Sequence, residues 1–306
     1  ELDYADGEIA SQGIEYLRQQ AESGEPFFLA VGFLKPHVPF VAPQKYFDLY
    51  PEGSIPEVPN PYYPKASPEY AHYDSAEMRV YHGIPRQRGE PVADAALTQE
   101  LRRAYYACTS FIDAQVGRLL ASLEELGLSE NTIICFWGDH GYHLGENNLW
   151  CKRNNYELSC RVPLILHVPG QAFPGARTDA LVELVDVLPT LTEACGLPVD
   201  AGVEGDSLLP LMNEPDRPWK SAAFSQYPRV LEKYGNIMGN SMRTERWRFT
   251  EWLSEDGVFR QVEIYDLEND PEGNVNLARD PDFRDLIPAL TEQLRAGWKA
   301  ARPGIN

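Results

Sequence analysis

Apolar residues recur along the chain in two rhythms. Between residues 5 and 20, Ile9, Ala10, Gly13, Ile14 and Leu17 fall on one side of a helix. A longer stretch repeats at steps of three and four through Leu101, Tyr105, Cys108, Ile112, Val116, Leu119, Leu123 and Leu126. Thr98 is placed to cap this second helix, with Gln99 and Glu100 in its first turn, and Gly127 stands where a left-handed closing residue belongs. A short third helix carries Pro189 in its first turn, started by Asp186 and ended by Gly196. The other rhythm is unbroken: residues 27–33, 132–137 and 162–168 are apolar runs that suit strands covered on both faces. Helix and strand in alternation predict an α/β domain with a mixed, mostly parallel sheet between helices. Near residues 213–218 the pattern changes. Strand-like pieces at 247–253 and 261–267, turn signals at Asp256-Gly257 and Asp270–Gly273, and an amphipathic helix through Leu286, Leu290, Leu294 and Trp298 predict a smaller antiparallel sheet with one helix on it. The expected domains are therefore residues 1–215 and 216–306. Residues 36–91, rich in Pro, Tyr and Gly, read as a long ordered excursion of the kind that walls a binding cleft.

Composition narrows the function. With 306 residues, 43% of them hydrophobic, the chain can bury a large core. Its formal net charge is -19 and no Lys/Arg cluster stands out, which argues against nucleic-acid partners and anionic membranes. An anionic substrate would be repelled by that field unless local cations outweigh it at short range. No apolar stretch is long enough to span a membrane. The five cysteines form no C-x-x-C pair and no zinc-like spacing with histidine. Cys108 and Cys135 read as core thiols, and Cys151 and Cys160 could pair if the loop between them folds back, a point the sequence leaves open. There is no Asn-x-Ser/Thr acceptor. The chain starts at Glu1 and its beginning reads like the inside of a domain.

The candidate chemistry sits where apolar runs stop. In open α/β sheets ligands bind beyond the carboxyl ends of the strands. The run at 132–137 ends at Gly138 and is followed by Asp139 and His140, with Gly141 next. As a turn, the four residues need no ligand, since Asp in a turn commonly bonds its own backbone. A carboxylate beside an imidazole at a strand end also suits a metal, and the carboxylate favours a hard cation, calcium or alternatively magnesium. The run at 27–33 leads to Lys35 and His37 on a segment stiffened by Pro36 and Pro39. Lys152 and Arg153 follow the apolar Leu149-Trp-Cys151, so cations emerge from an anchor and could bind sulfate or phosphate oxygens. For His143 and Glu146 a structural hydrogen bond is as good a reading as substrate contact. Arg243 either faces a cleft or pairs with a carboxylate. Asp266-x-Glu268-x-Asp270 looks like a calcium loop, but Pro271 stands where that pattern needs Gly, so it reads as a strand-ending turn.

These residues carry a resemblance. Gly138-Asp-His-Gly-Tyr-His-Leu-Gly-Glu146, Leu149-Trp-Cys-Lys152 and the whole of residues 27–40 resemble the type I sulfatase family, in its iduronate-2-sulfatase-like branch. Tyr105-Tyr-Ala-Cys-x-x-Phe-Ile-Asp113, Leu184-Val-Asp-Val-Leu-Pro-Thr190, Ser241-Met-Arg-Thr244 and Tyr265-Asp-Leu-Glu-Asn-Asp-Pro271 extend the likeness along the chain in order. The resemblance implies an alkaline-phosphatase-like fold and a sulfuric ester hydrolase acting on a sulfated sugar or glycan. It implies that Asp139 and His140 ligate calcium, that Lys35 and Lys152 contact the sulfate ester, and that His37 assists the leaving oxygen. His143, Arg153 and Arg243 become weaker candidates for substrate contact. One departure stands out. The family's nucleophile is a Cys or Ser in the pattern Cys/Ser-x-Pro/Ala-x-Arg, converted to formylglycine, and none of the five cysteines has that context. The nucleophile and further metal ligands are therefore expected on an upstream segment or a companion chain, and this chain alone is expected to be incomplete and inactive. Two alternatives remain: a phosphodiester or phosphonate monoester hydrolase of the same superfamily, and a non-catalytic module that binds sulfated glycans. The resemblance suggests an exported or lysosomal protein, although the residues themselves name no compartment.

Overall fold

The computed structural model describes residues 1–304 apart from Arg88. The chain forms two compact units, residues 1–59 with 75–132, and residues 60–74 with 133–306. Side chains link the segments on either side of residue 215. Lys220 donates to Asp186 at 2.7 Å and to Glu183 at 2.9 Å, and Arg248 donates to the carbonyl of Asn155 at 2.8 Å.

The first unit is helical, built on α1 (Ala5–Ser23), α2 (Gln44–Phe47) and α3 (Ala95–Glu125). α1 buries Ala10, Gly13 and Leu17, as its apolar spacing requires. α3 begins earlier than Thr98. Asp94 caps it, its carboxylate accepting from the Leu97 N–H at 2.8 Å, which a carboxylate does as well as a hydroxyl. The closing residue Gly127 has φ 70°, as expected. Phe111, fully buried on α3, meets the rings of Tyr4 and Tyr46 at 5.7 and 5.4 Å and centres a cluster with Ala42, Ala107, Cys108 and Ile112. Arg103 fastens the end of α2 by donating to the carbonyls of Tyr50 and Phe47.

Residues 27–33 do not form the expected buried strand. They run without a ladder partner among the described residues, and Phe28 is 86% exposed. Apolar content favours an extended chain, but a strand also needs a neighbour to take its N–H and C=O groups.

Among the described residues, the second unit holds all the paired strands. β1 (Ile134–Trp137) enters the turn at Gly138; β2 (His143–Leu144) and β3 (Trp150–Cys151) pair antiparallel, His143 opposite Cys151. The short α4 (Glu157–Cys160) precedes β4 (Leu164–His167), which pairs antiparallel with β1, Phe136 opposite Ile165. α5 (Val187–Ala194) is entered through a turn in which Glu183 and Asp186 form a reciprocal capping box, and α6 (Leu209–Asn213) follows. The last part is an antiparallel meander, β5 (Ala223–Leu231), β6 (Gly235–Arg243), β7 (Trp247–Ser254) and β8 (Arg260–Asp266), followed by α7 (Leu286–Ala301).

Strand alternation sorts the faces of this sheet. Met242, Phe249 and Ile264 pack against Leu290 and Leu294 of α7. The opposite face presents Ile237, Trp252 and Tyr265 to Leu149, Tyr156 and Ala71. Trp252 lies flat across Gly239, where a Cβ would come within 2.7 Å of the ring, so only glycine fits. Asp266 closes β8, and the Asp270 carboxylate accepts from the Asn274 and Val275 N–H groups, making the Asp266–Asp270 segment a turn as read from Pro271. No helix among the described residues is long and apolar enough to cross a membrane.

Candidate active site

The first unit carries Lys35 and His37. Asp6, buried in the first turn of α1, accepts from the backbone N–H groups of Leu34 and Lys35 at 2.5 and 3.3 Å and so holds the start of their loop. The Lys35 ammonium donates to the carbonyls of His37 (3.0 Å) and Pro39 (2.8 Å). The His37 ring has Nδ1 2.7 Å from the Val38 carbonyl and Nε2 2.6 Å from Glu77 Oε1. Each ring nitrogen thus faces an oxygen. Asp6 and Glu77 escape sequence reasoning because their link to the site is tertiary. Asp6 reads as an ordinary acidic residue in a helix's first turn, and Glu77 lies forty residues beyond its partner in an irregular segment.

The second unit carries the rest. Asp139 and His140 follow the end of β1. The Asp139 carboxylate is 84% exposed, its Oδ1 accepts from the His140 N–H at 2.9 Å, and its Oδ2 lies 3.6 Å from His140 Nε2. His140 Nδ1 lies 2.8 Å from the Gly141 carbonyl. A carbonyl only accepts, so Nδ1 carries a proton; in the neutral ring this leaves Nε2 with its lone pair, the tautomer a metal-binding histidine needs. A Cβ at Gly141 would stand 1.9 Å from the Leu158 carbonyl oxygen, so glycine lets the turn close here. The two donors converge and fit one edge of a hard-cation site. They do not fill one, since calcium takes six to eight oxygens and no group of three or more His, Cys, Asp or Glu suited to a metal forms among the described residues.

The β2–β3 pairing sets Lys152 beside Tyr142, two residues past His140, its ammonium 6.0 Å from the centre of that ring. Arg153 is exposed, its guanidinium 5.7 Å from the Tyr73 ring. Cys151 and Arg153 flank Lys152 with φ of 67° and 68°. Side chains rarely adopt that conformation, at a cost on the order of 1 kcal/mol each. Cys151 and Cys160 are not joined by a disulfide, and the Cys151 sulfur accepts from the Tyr142 hydroxyl at 3.2 Å.

Two of the weaker candidates have partners within the protein. His143 is fully buried in β2, with Nδ1 3.2 Å from the Glu146 carbonyl, and burial lowers its pKa to about 4 despite the opposing Glu146 carboxylate. It is a neutral core histidine, and Glu146 serves the same turn by accepting from the Leu144 N–H at 2.7 Å. Arg243 pairs with the Glu157 carboxylate at 3.4 Å and donates to the Glu245 carbonyl at 2.8 Å. Glu157 is shared with Arg248 at 2.5 Å; burial alone would raise its pKa, but the two guanidiniums lower it. The carboxylate reading of Arg243 is therefore the one realised.

A family model described as Sulfatase matches residues 2–197. The chain belongs to the sulfatase family. A second model, described as N-sulphoglucosamine sulphohydrolase, C-terminal, matches this sulfatase chain over residues 145–299. Iduronate 2-sulfatase of Mus musculus is 31% identical to it over 352 residues, covering 93% of the chain and 64% of the relative. Choline-sulfatase of Rhizobium meliloti (strain 1021) is also 31% identical, covering 95% of the chain and 54% of the relative. The sulfatase chain thus spans less than two thirds of either relative's length. A solved structure of a protein bound to its substrate D-glucosamine-2-N,6-O-disulfate superposes with a TM-score of 0.79 at 22% identity, covering 96% of this chain and 69% of that one. The phosphonate monoester hydrolase of Silicibacter pomeroyi gives 0.77 at 24%, covering 96% and 60%. These likenesses show the α/β fold of the alkaline-phosphatase-like sulfatases, with its smaller C-terminal antiparallel sheet and helix.

Proposed function

We propose that this chain is the larger part of a sulfuric ester hydrolase that removes sulfate from a sulfated sugar. The observation that carries the reading is the pair of donors at the end of β1, Asp139 Oδ2 and His140 Nε2, 3.6 Å apart with the carboxylate open to solvent. Membership of the sulfatase family supports it. The named substrate of one structural neighbour, a sulfated glucosamine, supports the sugar. In this proposal Asp139 and His140 are two of the ligands of a calcium ion, or of magnesium in its place. When bound, the ion supplies positive charge toward the sulfate oxygens.

Lys35 and Lys152 neutralise the sulfate as point charges, offsetting locally the chain's net charge of -19. Arg153, exposed beside Lys152, is left to contact the sugar or a second anionic group. His37 holds the proton delivered to the departing sugar oxygen. Its Nε2 faces Glu77, so delivery from that nitrogen requires the substrate oxygen to take the place of Glu77. The nucleophile is a formylglycine contributed by a segment other than these 306 residues, because no cysteine here has the required context.

A second reading has its own support, since a phosphonate monoester hydrolase shares the fold. Turnover of matched aryl sulfate and aryl phosphonate monoesters by the natural enzyme separates them. The proposal expects the sulfate to be preferred in kcat/KM, and preference for the phosphonate would replace it with the second reading.

A further inference from the structure

The turn that presents Lys152 is held from the C-terminal sheet. Arg229 of β5 donates through Nη2 to the carbonyl of Arg153 at 2.7 Å and to that of Ala71 at 3.2 Å, and through Nε to that of Tyr70 at 2.8 Å. Nη1 donates to its neighbour Pro228 at 3.0 Å. Its guanidinium lies 4.7 Å from the Tyr227 ring centre and 5.9 Å from that of Trp252. Every one of these hydrogen bonds goes to a carbonyl rather than to a carboxylate. A planar fork of fixed donors suits this work, and the point charge of lysine does not.

What Arg229 holds is unusual backbone. Cys151 and Arg153, on either side of Lys152, are both in the left-handed region, so surrounding contacts must maintain the turn. Further along the same turn, Asn155 donates to the Gly239 carbonyl at 2.9 Å and accepts from Arg248 at 2.8 Å. Arg229 grips it one residue from Lys152.

We propose that Arg229 is a positioning residue for Lys152: by fixing the Arg153 carbonyl it sets the direction in which the Lys152 ammonium leaves the chain. The inference rests on the role given to Lys152 above. It extends the working site into β5, a strand with no other part in the chemistry, and couples it to residues 70 and 71.

The test is a double-mutant cycle in the natural enzyme, with Arg229→Met, Lys152→Ala and both together, and Arg229→Lys as the conservative control. Where the variants remain folded by circular dichroism, Arg229→Met lowers kcat/KM for an aryl sulfate at least about tenfold, the scale of a misplaced catalytic group. Arg229→Lys recovers little of it. In the Lys152→Ala background the same substitution costs less than about twofold, as expected when one residue acts through the other. Hydrogen exchange of the amides at 151–154 speeds up in Arg229→Met and not in Lys152→Ala. Equal losses in both backgrounds, or unchanged exchange, would overturn the proposal. If Lys152→Ala alone leaves turnover intact, the functional reading of Lys152 falls and the coupling with it, while the exchange data still report whether Arg229 orders the turn. Should Arg229→Met fail to fold, Arg229→Gln carries the same comparison.

Discussion

Burial of His143 makes the stability of this chain depend on pH below neutrality. The ring is wholly buried, its centre 6.4 Å from that of Tyr156, and burial lowers its pKa from 6.5 to about 4. The folded state therefore refuses a proton that the unfolded state accepts below pH 6.5. Stability from this source is present above the unfolded pKa and is lost as pH falls toward the folded one. A fall from 6.5 to about 4, at about 1.4 kcal/mol per pH unit, gives roughly 3–4 kcal/mol, a large share of the total for a domain. His143→Asn keeps a donor for the Glu146 carbonyl and removes the titration. Urea unfolding of parent and variant in half-unit steps from pH 7.5 to 4 reads the effect. The lead of the parent should shrink by on the order of 1 kcal/mol per pH unit below about 6. Carboxylates whose pKa is lowered, Asp266 beside Arg246 among them, are common to both proteins and cancel in the difference. Parallel stability curves across that window would refute the reasoning.

Three further outcomes are expected. Arg248→Met leaves the largely buried Glu157 carboxylate with Arg243 alone and should cost about 3 kcal/mol by chemical unfolding; a loss below about 0.5 kcal/mol would mean the pair is solvated. Phe111→Ala empties the centre of the helical unit and should cost about 3–5 kcal/mol, read as a shift in unfolding midpoint, with a near-neutral result showing that the cluster collapses to fill the space. His37→Ala should slow hydrolysis of alkyl sugar sulfates by about a hundredfold or more and activated aryl sulfates far less; equal losses on both would remove the acid role.

What the residues announce in advance is what local rhythm encodes. The periodicity of α1, α3 and α7, the left-handed Gly127 and Gly196, and the antiparallel tail all depend on neighbours within a few positions. The observed cap of α3, Asp94, lies four residues before Thr98, since both are good caps and only packing chooses between them. Residues 27–33 failed as a strand because propensity is local and pairing is not. The same line divides the site. Asp139, His140 and Lys152 were visible as polar heads at the ends of apolar runs, whereas Asp6, Glu77 and Arg229 act across 28, 40 and 76 positions of sequence. His143, a polar residue in a motif, gives no local sign that it is fully buried.

Sulfate release from a sulfated monosaccharide by the natural enzyme and by its Asp139→Asn variant tests the central claim most directly. The parent should release sulfate, and the variant should fall by roughly a hundredfold or more as charge at the reacting group is lost. Release by the variant within about twofold of the parent would contradict the account.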